Sequence, residues 1–134
     1  MFRNLEHLGL AVHDLAAATE LYTALLGIKP HKTEHVASEA VDTVFFQVGG
    51  AKIELLAGTA PESAITRFLA KKPEGLHHVA FEVDDIRAEM ARLRGAGFAL
   101  LNEEPKPGAD NKLVCFVHPK SAAGVLIELC QEIK

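Results

Sequence analysis

The sequence predicts an α+β fold of two tandem β-α-β-β-β modules, and three observations predict it. The segment His7-Leu8-Gly9-Leu10-Ala11-Val12-His13-Asp14-Leu15 is matched by His78-Val79-Ala80-Phe81-Glu82-Val83-Asp84-Asp85-Ile86. Each is followed by apolar residues at helical spacing. Each module then ends in a strand with one carboxylate in it, Ile53-Glu54-Leu55-Leu56 and Ile127-Glu128-Leu129-Cys130. His7 and His78 stand 71 residues apart, Glu54 and Glu128 74 apart, so the duplication carries a His and a Glu to equivalent places.

The elements follow in order. Residues 5–12 alternate as a strand. Asp14 caps a helix whose stripe is Leu15, Ala18, Leu21, Tyr22, Leu25 and Leu26, with Gly27 at its left-handed end and Pro30 preventing resumption. Residues 31–38 read as irregular or as an edge strand. Val41–Val48 and Ala51–Leu56 form a hairpin about Gly49-Gly50. Ala60-Pro61-Glu62-Ser63 opens a short helix with Ile65, Phe68 and Leu69 on one side, and Lys71-Lys72-Pro73-Glu74-Gly75 closes it. That segment divides a single domain, 1–134, into module 1 (about 1–72) and module 2 (about 73–134). Module 2 repeats the order. A strand covers 77–83. A helix from about Asp85 buries Ile86, Met90 and Leu93 and ends at Gly95 or Gly97. Strands at about 112–117 and 124–130 are joined through Pro119-Lys120-Ser121.

Composition bounds the function. The chain has 134 residues, 49% hydrophobic, enough for one shared core. A net charge of −4 argues against a nucleic-acid partner. No apolar run reaches membrane-spanning length, and the first residues carry no signal-peptide pattern. Two cysteines are too few for a disulfide scaffold, so a reducing, cytoplasmic setting is expected.

Strand alternation places Leu8, Leu10 and Val12 on one face and His7, Gly9 and Ala11 on the other. In the same way Val79, Phe81 and Val83 oppose His78, Ala80 and Glu82. The bulky set must cover a helix, leaving each His beside small residues. Glu54 and Glu128 are carboxylates in otherwise apolar strands, costly to bury unless a cation meets them. Two imidazoles and two carboxylates at equivalent positions are explained together by one divalent ion. The register selects His78 over His77, because His78-Val79 matches His7-Leu8. His13, His31 and His35 read as solvated residues. His118 lies at a strand end, on the surface or lining a cavity. Asp84 and Asp85 read as helix caps, Glu82 as a supporting or solvent-facing residue, and Cys130 as core.

These pieces resemble the vicinal oxygen chelate (glyoxalase) superfamily and, within it, the methylmalonyl-CoA epimerases. The similarity rests on Leu5-Glu6-His7-Leu8-Gly9-Leu10-Ala11-Val12, on Ala51-Lys52-Ile53-Glu54-Leu55-Leu56, on residues 68–78 and on the tail 117–129. The resemblance implies a cup-shaped mixed sheet with helices on its outer face, and one divalent metal per chain held by His7, Glu54, His78 and Glu128. Hard oxygen and imidazole ligands suit Co²⁺, expected first, or Mn²⁺, Ni²⁺ or Zn²⁺. It also implies Glu39 and Glu128 as the catalytic acid/base pair, acyl-CoA as substrate and a homodimer. The context of Glu39 differs from the family's Pro-Glu-Gln-Gly, reading Ser38-Glu39-Ala40-Val41. The family's Gly-Ala-His-Gly-Lys reads Gly108-Ala109-Asp110-Asn111-Lys112. The expected reaction is epimerisation at C2 of methylmalonyl-CoA through a metal-stabilised enolate. The rivals are a glyoxalase I-type lyase and a non-catalytic small-molecule-binding protein of the same fold.

Overall fold

Eight strands and three α-helices appear in a computed structural model describing residues 1–134. The order is β1 (Phe2–Ala11), α1 (Leu15–Leu26), β2 (Lys32–Val36), β3 (Val41–Val48), β4 (Ala51–Gly58), α2 (Ala64–Lys71), β5 (Gly75–Val83), α3 (Ile86–Gly95), β6 (Lys106–Gly108), β7 (Lys112–Val117) and β8 (Ile127–Glu132). Thus β-α-β-β-β occurs twice, with α2 as the connector. The short strands β2 and β6 fill the places where sequence periodicity is weakest. The chain forms two compact units, Leu8–His77 and Met1–His7 with His78–Lys134, so β1 contributes residues to both.

In the Leu8–His77 unit, β2, β3 and β4 form an antiparallel meander, with Val44 opposite Leu55 and Phe45 opposite Glu54. Asp14 caps α1 by accepting from the Ala17 N–H at 3.0 Å, and Gly27 ends it at φ 70°. The helix packs Leu15, Ala18, Tyr22 and Leu26 on Val12, Val44, Phe46 and Leu55. Leu21 and Leu25 do not join this stripe; they are 63% and 69% exposed. At 100° per residue, positions 15, 18, 22 and 26 already fill the inward face, and 21 and 25 fall on its outer flank. Ser63 caps α2, which covers Ala11, Val41 and Leu56 with Ile65, Phe68 and Leu69. Gly58 permits this approach, since a side chain there would collide with Thr66.

The other unit holds strands in the order β1-β5-β8-β7-β6. The β5–β8 pair is parallel and β8–β7–β6 antiparallel, which makes the sheet mixed. Asp85 caps α3 by accepting from the Ala88 N–H at 3.1 Å. Ile86, Met90 and Leu93 then pack on Val83, Cys115, Val117 and Leu129. Burying Ile86, Met90 and Leu129 contributes roughly 1.5–3 kcal/mol each. Because Leu113, Cys115 and Val117 on β7, and Leu129 on β8, face this core, Phe116 and Glu128 are turned to the opposite side of the sheet. Residues 124–126 stay outside β8. No helix is long and apolar enough to cross a membrane.

Candidate metal centre

Three donor atoms converge in the unit that holds both histidines. His7 projects from β1, His78 from β5 and Glu128 from β8, and all three are buried. Their positions follow from the pleat: each neighbours an apolar residue that turns the other way. His7 Nε2 lies 2.9 Å from His78 Nε2. Glu128 Oε1 lies 3.1 Å from His78 Nε2 and 3.6 Å from His7 Nε2. The two rings meet at 84°, and Phe116 packs edge-on against His78 at 6.0 Å between centroids.

A fourth side chain sets the tautomer. His7 Nδ1–H donates to Glu6 Oε1 at 3.0 Å. Neutral His7 therefore presents a bare Nε2 lone pair to its neighbours. With nitrogen ligands at about 2.1 Å, adjacent donors on an octahedral ion stand about 3 Å apart. Separations of 2.9, 3.1 and 3.6 Å fit three such neighbours. The donor set is thus suited to a divalent ion of the imidazole-and-carboxylate class.

The electrostatics agree. Burial opposes ionisation of Glu128, yet its contacts with the imidazoles of His7 and His78 outweigh this and hold the carboxyl well below the usual carboxylate range. Burial, with Glu128 second, pushes the Cys115 thiol up to about 11, so it is an inert core thiol.

The remaining sequence-predicted residues fall as follows. Glu54 is buried on β4 at 4% exposure, directly across from Phe45, in the Leu8–His77 unit. Glu39 ends a 3-10 turn, Ala37–Glu39, in that same unit and is half-buried. Ala40 after it is left-handed at φ 53°, so an alanine makes the turn there. His77 packs edge-on against Phe68 at 4.9 Å between centroids. Glu82 accepts from Asn4 Nδ2 at 2.7 Å, and His35 contacts Asp42 at 2.7 Å; both contacts are exposed. His118 caps a 3-10 turn, its Nδ1 accepting from the Lys120 N–H. Glu6 is the residue that sequence reasoning passed over. Parity puts it on the face opposite His7, but its side chain is long enough to come round to Nδ1. A carboxylate adjacent to a candidate ligand His was the available signal.

Comparison with known proteins agrees with the fold and donor set. The family model for the glyoxalase/bleomycin resistance protein/dioxygenase superfamily matches residues 6–116. The ethylmalonyl-CoA/methylmalonyl-CoA epimerase of Cereibacter sphaeroides is 41% identical over 133 residues, 98% of this chain and 99% of that protein. The mitochondrial methylmalonyl-CoA epimerase of Mus musculus is 41% identical over 128 residues, 95% of this chain and 72% of that one. A variant of the Streptomyces coelicolor methylmalonyl-CoA epimerase, solved with 2-nitronate-propionyl-CoA, matches with a TM-score of 0.95 and 34% identity over 100% of both chains. The chain therefore belongs to the glyoxalase/bleomycin resistance protein/dioxygenase superfamily and, within it, to the methylmalonyl-CoA epimerase family.

Proposed function

We propose that this chain is a metal-dependent epimerase that interconverts the 2R and 2S forms of methylmalonyl-CoA. The observation that carries the reading is the buried convergence of His7, His78 and Glu128, with His7 oriented by Glu6, in a chain 41% identical to an epimerase along nearly its full length. One divalent ion per chain, Co²⁺ first and Mn²⁺, Ni²⁺ or Zn²⁺ as alternatives, would be held by His7, His78, Glu128 and Glu54. The buried donor triad supports the first three ligands. The burial of Glu54 within a strand equivalent to that of Glu128 supports the fourth.

The C2 proton of a 2-substituted malonyl thioester lies between a carboxylate and a thioester carbonyl, so its removal leaves charge on two oxygens. A bound divalent ion supplies the positive charge that stabilises it. Inversion requires proton transfer on both faces of the carbon. Glu128, ionised and buried, takes or returns the proton on one face. Glu39 does so on the other; its half-buried place at the end of a short turn suits a side chain that meets substrate without holding metal. Glu6 keeps the His7 Nδ1 proton and so leaves Nε2 for the ion. The acyl-CoA is the partner of the site. The chain works as a cytoplasmic homodimer, whose contact would cover apolar side chains such as Leu21 and Leu25.

Paired variants test the division of labour. Glu39→Gln should keep its metal while epimerisation falls by about 10²–10⁴. It should still exchange the C2 proton of one enantiomer. Glu128→Gln should lose both metal and exchange. Deuterium incorporation into each enantiomer, read beside metal content, decides it. A Glu39→Gln protein that epimerises at the wild-type rate removes Glu39 from the mechanism.

A further inference from the structure

Thr43 carries a buried hydroxyl that the fold does not use. The residue is 1% exposed on β3, and its Oγ1 is the buried side-chain polar atom without a hydrogen-bond partner. Folded proteins pair nearly all such atoms, so an orphan calls for a reason. Packing does not supply one. Valine has the same shape, suits a buried strand equally well and has no polar atom to leave unpaired. The neighbouring strand does not supply a partner either. Glu34 on β2 stands directly across the ladder, yet its carboxylate pairs with Lys32 Nζ at 3.4 Å.

Alternation fixes the side on which this hydroxyl lies. Val44 and Phe46 on β3, with Leu55 on β4, face α1. Thr43 and Phe45 therefore occupy the other side of β3. Phe45 is directly across from Glu54 and Thr43 from Leu56, so Thr43 and Glu54 are diagonal neighbours on one sheet face. Such neighbours stand about 7–8 Å apart. The ammoniums of Lys32 and Lys52 lie 5.3 and 5.8 Å from the centroid of the Phe45 ring. A buried carboxylate, an unpaired hydroxyl and two cations are thus grouped about one ring.

We propose that the Thr43 hydroxyl donates a hydrogen bond to the free carboxylate of the malonyl thioester, and so selects thioesters that carry a carboxylate at C2. This rests on the epimerase reading, in which Glu54 is a ligand of the divalent ion. A malonyl thioester has three acceptor oxygens about C2, one on the thioester and two on the carboxylate. Chelation of an ion uses one oxygen from each group and leaves the second carboxylate oxygen to the protein. A threonine hydroxyl can donate to it, and the ionised acceptor makes the bond a strong one. The diagonal spacing lets one small anion meet both an ion on Glu54 and the hydroxyl of Thr43. Lys32 and Lys52 add positive charge that favours an anion on this face. The carboxylate stays ionised from ground state to enolate, so the bond acts on binding rather than on the chemical step.

The test uses Co²⁺-loaded wild type, Thr43→Val and Thr43→Ser with two unreactive ligands. Dimethylmalonyl-CoA keeps the carboxylate but has no C2 proton, and pivaloyl-CoA has a methyl group in place of that carboxylate. Thr43→Val should bind dimethylmalonyl-CoA about 10–100-fold more weakly than wild type by calorimetry, as for the loss of one hydrogen bond to a charged group. Its affinity for pivaloyl-CoA should not change, and Thr43→Ser should restore most of the loss. With methylmalonyl-CoA, Thr43→Val should raise KM by a similar factor and leave kcat near wild type. Without ligand it should hold as much metal as wild type and melt no lower, since the change removes an unpaired polar atom. Equal losses for both ligands, no loss for either, or a lower melting temperature of the ligand-free variant overturns the proposal. So does wild type that binds dimethylmalonyl-CoA no more tightly than pivaloyl-CoA. Should wild type leave the C2 proton of methylmalonyl-CoA in place, the epimerase reading fails, while the ligand comparison still decides the role of Thr43.

Discussion

Glu6 holds the ring of a candidate ligand, His7. By accepting from Nδ1–H at 3.0 Å it leaves His7 Nε2 bare toward His78 and Glu128. Removing such an outer partner costs about 10–100-fold in metal affinity, and removing the ligand itself costs more. Glu6→Ala should therefore bind Co²⁺ about 10–100-fold more weakly than wild type, and His7→Ala should be weaker still. Isothermal titration with Co²⁺ measures both. Equal affinity in Glu6→Ala and wild type would show that the carboxylate does not orient the ring. At this scale the sequence was partly legible. Pattern and register pointed to His7, His78 and Glu128, because duplicated strands repeat their parity. The bond from Glu6 was not legible, because it depends on a side-chain path that alternation does not describe.

Helices were legible where their faces are narrow. In α3 the charged residues leave Ile86, Met90 and Leu93 as an apolar stripe, and these three are buried there together with Glu89. In α1 the apolar set was wider than the face the sheet can cover, so Leu21 and Leu25 remain outside. Charge within α3 also has a consequence. Glu89 is buried in its side chain and bonds Arg92 at 2.9 Å. The hydrogen bond from Arg92 lowers the Glu89 pKa, against the opposing effect of burial. A lowered folded-state pKa stabilises the fold above the ordinary glutamate range, and that contribution is lost as pH falls through the folded value. Glu89→Gln should therefore melt below wild type at pH 7, with the gap closing as the solution is acidified through and below the glutamate range. A gap that stays constant with pH would mean that the ionised carboxylate contributes nothing. The weakest elements to read were β2 and β6, at five and three residues, which carry too little periodicity to separate from loops.

For the molecule as a whole, the duplicated β-α-β-β-β order was readable because each module repeats the same apolar pattern. The partition of β1 between two compact units was not, since strand parity says nothing about which residues cluster in space. Function at this scale rests on joining a donor triad to the acidity of a malonyl thioester. The most direct measurement is proton exchange at C2 of methylmalonyl-CoA in D₂O, followed by NMR, with the protein as loaded with Co²⁺, stripped by chelator and reloaded. Metal-loaded protein should exchange the C2 proton and equilibrate the 2R and 2S forms. Stripped protein should do neither, and reloading should restore both. Metal-loaded protein that binds one ion per chain yet leaves the C2 proton in place, or exchange that persists unchanged in the stripped protein, would contradict the account.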